Sequence, residues 1–282
     1  MQAVCDGLET EWVENDGEIA KAFSFGTVDD DVLETLDAAP GALVIHVTSD
    51  LREGRAEVVA LVERLRAAGG LAVRIEQSKL GWDIARWLDM FSADSAWAWH
   101  RGAIAFLGGK RELQSCGMHA FSLPDVHIAI GEGDDAGAVQ QLASVLDVYQ
   151  LDEDPVLRSG ETFAPDAETP RRRVERWPDT QYPSDHPCHN PYGVWRLGPP
   201  GGVSRPMGDL VPVFVPALRA ILMALEGEAE ASLTQEQVET TRDEGACIMM
   251  EPRDAQKLER SRGYADFDPE LVWEQWKLVA TR

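Results

Sequence analysis

The stretch Ala42–Ile75, ALVIHVTSDLREGRAEVVALVERLRAAGGLAVRI, decides how this chain is read. Ala42–Val47 is a short, mostly apolar run with several β-branched residues, the pattern of a buried strand. Glu53–Ala68 places apolar residues at helical spacing and runs into Gly69-Gly70, a pair that stops a helix. Leu71–Ile75 reads as a second strand. Strand, helix and strand in this order make a βαβ unit, so the two strands are expected to be parallel neighbours with a right-handed connection. The expected fold class is therefore α/β, with α+β as the alternative: a mixed, partly parallel sheet flanked by helices, followed by a helical C-terminal part.

Towards the N-terminus, residues 1–40 carry 11 acidic side chains and Lys21 as their one base. Asp29, Asp30 and Asp31 stand before Val32-Leu33, where carboxylates suit the positive end of a short helix. Towards the C-terminus, Ser78 is expected to cap a helix over Lys79–Phe91. Its broad apolar face would carry Trp82, Ile84, Ala85, Trp87, Leu88 and Phe91. Ala103–Leu107 and Asp125–Ile130 read as strands, with Gly108–Leu113 between them as a hairpin edge, and Ala136–Tyr149 as a helix. Gln150–Gly202, rich in Pro, Arg and Gly, reads as a long ordered excursion without regular elements.

Beyond it the pattern turns helical. Pro212–Glu226 is a strand-to-helix passage, and Thr234 with Gln237 makes a capping box for Gln235–Glu244. Asp254–Arg262 ends at Gly263, and Asp268-Pro269 opens a helix over Pro269–Val279. Trp273 and Trp276 share one face of that helix and are expected to pack against the body. The chain thus divides into an α/β body over residues 1–204, with the excursion at 150–204, and a mainly helical part over 205–282.

Composition narrows the function. Forty-nine acidic against 26 basic side chains leave a formal charge of −23 over 282 residues. Nucleic acid and anionic lipid surfaces are repelled by such a chain. The acidity serves solubility, or it meets a basic partner. Apolar runs such as Ala42–Val47 and Ala103–Leu107 are too short to span a bilayer, and the first residues lack the basic start and apolar segment of a secretory signal. Cys5, Cys116, Cys188 and Cys247 are widely spaced and form no CxxC, which points to a reducing compartment, the cytoplasm.

Several constellations carry chemistry. The ends of three expected strands bear Asp50, Glu76 and Asp134, which can converge on a hard cation or, as readily, cap helices and face solvent. Gly131–Gly137 follows a strand and opens a helix. Glu132, Asp134 and Asp135 would nevertheless repel a pyrophosphate, so no nucleotide is expected there. Cys116 with His119, near His127, and later His186, Cys188 and His189 offer zinc-type ligands or a Cys–His nucleophile. Their spacing completes no ligand set, so no metal and no cofactor is expected, and a buried thiol with hydrogen-bonded histidines is the competing reading. Arg171, Arg172, Arg173 and Arg176, next to Trp177, form the densest basic cluster. It suits an anion, or the neutralisation of the chain's own acidic surface. Asn190–Trp195 and Arg262–Pro269 read as tightly specified loops, with aromatics anchoring turns at Gly193 and Gly263.

Cys116–Asp125 (CGMHAFSLPD) resembles an uncharacterised bacterial family, one of the domains of unknown function, in which a G-[ML]-x-x-F-x-x-P-[DE] stretch recurs. Ser159–Phe163 and Asn190–Trp195 are similar to it as well, so the resemblance spans roughly residues 41–200. It implies an α/β fold and a bacterial source, and it assigns no catalytic residue. Some families of this kind are immunity proteins beside secreted toxins. The expected function is accordingly an acidic cytoplasmic protein that binds a basic toxin or effector, with Asp29, Asp30 and Asp31 in the contact. The alternative is a hydrolase using Asp50 and Glu76, or Cys116 and His119.

Overall fold

The computed structural model describes residues 8–24, 27–47, 50–229 and 232–280. The chain is α/β. It opens with strand β1 (Glu9–Glu14), helices α1 (Ile19–Phe23) and α2 (Asp30–Asp37), strand β2 (Gly41–His46), helix α3 (Arg55–Ala67) and strands β3 (Ala72–Ile75) and β4 (Leu80–Asp83). The two strands flanking α3 form where the pattern placed them, but they are not parallel neighbours. β2 pairs antiparallel with β1, and β3 pairs antiparallel with β4. For β3 and β4 the short connection costs less closure entropy than a crossover, whereas β1 and β2 are joined through α1 and α2. The turn that permits the second hairpin is Glu76–Lys79, where Lys79 takes a left-handed φ of 61°. That turn also overturns Ser78 as a helix cap. Ser78 is buried inside the turn, and its hydroxyl accepts the Leu80 amide at 3.4 Å.

Helix α4 (Ile84–Ser92) therefore starts late; Ile84, Trp87, Leu88 and Phe91 of the expected apolar face are buried, while Ala85 is exposed. Trp82 belongs to β4 instead, and its indole N–H donates to the Gly102 carbonyl at 2.9 Å. Helix α5 (Ala96–Ala103) follows, and Phe91 lies so close to its Gly102 that a Cβ there would sit 2.5 Å from the ring.

The main sheet is assembled from β5 (Ala105–Gly108), β6 (Glu112–Cys116), β7 (Asp125–Ala129), β8 (Thr162–Phe163), β9 (Arg172–Trp177) and β10 (Val194–Pro200), in the order β5-β6-β7-β10-β9-β8. Only the central pair, β7 with β10, is parallel. The long excursion is thus no excursion, since it supplies half of the sheet. Its strands escape pattern reading because β9 alternates Arg, Glu and Trp about a single buried Val174, and β10 ends in Gly-Pro-Pro. Helix α6 (Ala136–Glu153) crosses from β7 and covers one sheet face, burying Val139, Leu142, Ala143 and Leu146 against Val126, Ile128, Val174, Trp195 and Leu197. Its last turns reach a second core through Val148 and Leu151, where Trp87, Phe91, Met118 and Phe121 meet. A helix that serves two cores is apolar on more than one face.

The C-terminal part contains β11 (Val211–Phe214), α7 (Leu218–Ala229), α8 (Gln235–Glu244), β12 (Cys247–Met250), α9 (Pro252–Arg262) and α10 (Val272–Ala280). β11, the strand expected to open the Pro212–Glu226 passage, pairs antiparallel with β12, a strand the reading of this part did not contain. The capping box at Thr234 and Gln237 is present, and α9 ends at Gly263 with φ 79°. The last helix begins later than Pro269 because Asp268 closes a turn first, its carboxylate accepting the Glu270 amide at 3.0 Å. Trp276 is buried with Phe214, Leu218, Leu222 and Val272, while Trp273 is half-buried beside them and carries Lys277 over its ring. Asp154 ties this part to the body, pairing with Arg52 at 3.1 Å, with Arg253 at 3.0 Å and with Arg260. Among the described residues no helix is long and apolar enough to cross a membrane.

Candidate functional site

The N-terminal segment makes an acidic, open surface. Every residue of β1 is exposed, including Glu9, Glu11 and Glu14, and so are Asp30, Asp31, Glu34 and Asp37 on α2. Asp29 is the N-cap residue of α2 but makes no capping bond; its carboxylate pairs with Arg86 at 2.7 Å. Of the three aspartates singled out in the sequence, Asp30 and Asp31 are therefore the ones left pointing outward. Glu18 pairs with Lys21, and among the described residues the other carboxylates of this surface form no ion pair. Trp12 lies across Gly41 of β2, where a Cβ would come within 2.5 Å of its ring, and still keeps 43% of its surface exposed. Val13 beside it is 41% exposed. β1 is bonded to β2 along one edge, and among the described residues no strand pairs with the other.

The second concentration of chemistry is where Cys116–Asp125 and the loop between β9 and β10 meet. Asp125, fully buried at the start of β7, accepts from the Met118 amide at 3.0 Å and from the Asn190 side-chain amide at 2.8 Å. Asn190 also donates to the Leu123 carbonyl, at 3.0 Å. Asp179 gathers the Gln181 and Asn190 amides at 2.8 and 2.9 Å, with His189 at 3.5 Å. Burial raises the Asp125 carboxyl well above its ordinary range, against these bonds. Cys116–Asp125 and the loop that carries Asp179 and Asn190 are thus halves of one buried polar staple.

Cys116 and Cys188, both buried, meet across this junction, the Cys116 thiol lying 3.9 Å from the Cys188 carbonyl and the Cys188 thiol 3.8 Å from the Glu76 carbonyl. The neighbouring Cys188, then burial, pushes the Cys116 thiol up, and the thiol donates to the Gln77 carbonyl at 3.3 Å. His119 does not serve it. One imidazole nitrogen meets the Pro187 carbonyl at 2.9 Å, and the other is buried without a partner. Burial lowers His119 to about 4, so it is neutral near pH 7. His186 stacks on Tyr182 and accepts the Cys188 amide at 3.1 Å, and His127 lies 3.4 Å from Glu112. A Cys116–His119 nucleophilic pair is not assembled.

The strand-end carboxylates are occupied separately. Asp50 accepts the Arg52 and Glu53 amides at 3.0 and 2.9 Å, ahead of α3. Asp134 accepts the Gly131 amide at 2.8 Å, and Glu76 pairs with Arg74 at 2.8 Å and with Lys79. Among the described residues, no three His, Cys, Asp or Glu side chains gather where one ion would be held. The arginine run is divided by the pleat of β9. Arg172 bonds the Gly198 carbonyl at 3.0 Å and Arg173 the Val203 carbonyl at 2.8 Å, while Arg171 is exposed. Arg176 bonds the Tyr192 carbonyl at 2.6 Å beneath Trp195 and faces Glu259.

Sequence reasoning found the acidic segment but missed Trp12. An apolar residue between glutamates on an alternating strand was the available signal. It also missed Asp179, and it read Asn190 only as the start of a tightly specified loop; the roles of both exist only once two distant loops meet. Comparison with protein-family models, with curated proteins and with solved structures finds no match.

Proposed function

We propose that this is a cytoplasmic binding protein for a basic protein partner, of the immunity type that neutralises a toxin or effector, and that it engages the partner through β1 and α2. The carrying observation is Trp12, 43% exposed on a strand that also carries the exposed Glu9, Glu11 and Glu14; among the described residues these carboxylates form no ion pair and no strand pairs with the second edge. Tryptophan is the side chain that most often dominates binding energy at interfaces, and surrounding charge of one sign steers an opposite partner and speeds encounter. The open edge of β1 also offers backbone groups for strand addition. The hydrolase alternative has less support, because Asp50 and Glu76 are engaged locally and Cys116 and His119 face different partners.

The test is capture from the native host at low and at physiological salt, with wild type, Trp12→Ala, and the triple Lys and triple Asn variants of Asp29, Asp30 and Asp31. The expected result is one basic protein, retained by wild type and lost by Trp12→Ala. Its association should be slowed by the Lys variant more than its dissociation is speeded. Recovery that is indifferent to all these variants, or a partner that is acidic, overturns the proposal.

A further inference from the structure

The sheet face opposite α6 is polar and open, and on it lies a groove of about 550 Å³. Its floor is a single row across three strands, because Arg196 of β10 is in register with His127 of β7 and with Glu175 of β9. Its wall is Trp177, over whose ring the Arg196 guanidinium stacks at 4.4 Å. Its rim is built by glycine. Gly201 has φ 87°, and a Cβ on Gly202 would come within 2.5 Å of the Arg173 backbone nitrogen, so the chain can fold tightly over β9. Arg173 holds that rim by donating twice to the Val203 carbonyl, at 3.1 and 2.8 Å.

Arg196 is the anomaly. Its Nε is buried with no hydrogen-bond partner. Arg74 Nε also lacks a hydrogen bond but lies 2.8 Å from the Glu76 carboxylate, and Arg176 and Arg260 reach a carbonyl or a carboxylate, as a chain with 49 acidic side chains makes easy. Holding a partly buried guanidinium in the groove with no carboxylate or carbonyl bonded to it is costly unless something else completes it. Glu112 and Glu175 act on Arg196 through their charge, without bonding it. They balance part of its positive charge and would oppose a dianion. The guanidinium fork matches the two oxygens of a carboxylate. The volume is that of a small-molecule site.

We propose that this groove binds a small organic monocarboxylate, its carboxylate seated on Arg196 and its apolar body lying between Trp177 and the glycine rim. The site is separate from β1 and independent of the protein partner.

The probes are benzoate and inorganic phosphate, titrated by calorimetry and by NMR of the indole N–H groups. Benzoate should bind saturably at one site per chain and more tightly than phosphate. Arg196→Met should weaken it at least tenfold, and Arg196→Lys, which keeps charge but loses the fork, should weaken it less. The Trp177 indole resonance, assigned with Trp177→Phe, should shift while that of Trp12 stays in place. That wild-type readout stands even if Arg196→Met fails to fold. No saturable benzoate binding, an unmoved Trp177 resonance, or tighter binding of phosphate overturns the proposal.

Discussion

His119 shows how one buried side chain sets a pH dependence. Unfolded, its imidazole titrates near 6.5; folded, burial holds it at about 4. Between these values the unfolded chain takes up a proton that the folded chain refuses, so the contribution of His119 to stability is full above pH 6.5 and is lost as pH falls towards 4. At 1.36 kcal/mol per unit this amounts to about 3 kcal/mol. Asp125 works in the opposite sense, since its raised carboxyl favours the folded state at low pH and loses that advantage as pH rises. The two are separated by His119→Gln, which keeps a donor near the Pro187 carbonyl and does not titrate. On going from pH 7.5 to 4.5, wild type should lose about 2.5 kcal/mol more than the variant in urea unfolding. Equal losses would show that the imidazole is not held neutral. Gly117 in the same turn has φ 122°, and a Cβ there would lie 2.6 Å from the Ala103 carbonyl. Gly117→Ala should therefore destabilise by about 1–3 kcal/mol, read from the same unfolding curves.

At the scale of elements, β1 and β2 form a two-stranded sheet, an arrangement that is marginal by itself in water. It is held to the rest through α1 and its neighbours: Arg74 donates to the Ala22 carbonyl at 3.0 Å, and the Thr27 hydroxyl bonds the Gly81 carbonyl. Amide exchange in β1 should thus be much faster than in β7 and β10, and partner binding should slow it there first. Uniform protection of β1 and β10 in the isolated protein would contradict this. Helix α8 rests on its capping box, both arms of which are formed. Thr234→Ala should cost about 1 kcal/mol, measured by denaturant unfolding, because it strips a backbone donor at the start of a helix that buries only Val238.

For the whole molecule, the question is whether the C-terminal part is an appendage. Trp276 is 1% exposed, and Gln275, buried beside it, donates to the Arg176 carbonyl at 2.8 Å. Asp154 binds three arginines from both sides of the junction, and their hydrogen bonds outweigh its partial burial, drawing its carboxyl below the ordinary range. Ending the chain after Gly263 removes α10 and uncovers Phe214, Leu218 and Leu222. The truncated protein should melt at lower temperature throughout and lose solubility. An unchanged melting temperature would show that the C-terminal core folds independently of the body.

Local signals were enough for what is local. The strand at Ala42–Val47, the helix at Glu53–Ala68, the Thr234 box and the Gly263 stop each rest on neighbours a few residues apart, and each is present. The acidic N-terminal segment was legible for the same reason, because its charge is carried in the composition. Pairing was not legible. Whether β2 joins β1 or β3 depends on what each edge and face finds to pair with and pack against, since the two connections are of similar length, and that is not written in one strand's periodicity. β9 and β10 were hidden because only α6, from another part of the chain, makes Val174, Trp195 and Leu197 a buried row. The same holds for function. Asp125 with Asn190, Cys116 with Cys188, and Arg196 over Trp177 are contacts between side chains far apart in sequence or on neighbouring strands. Only the tertiary fold gives each a partner, or leaves Arg196 Nε without one.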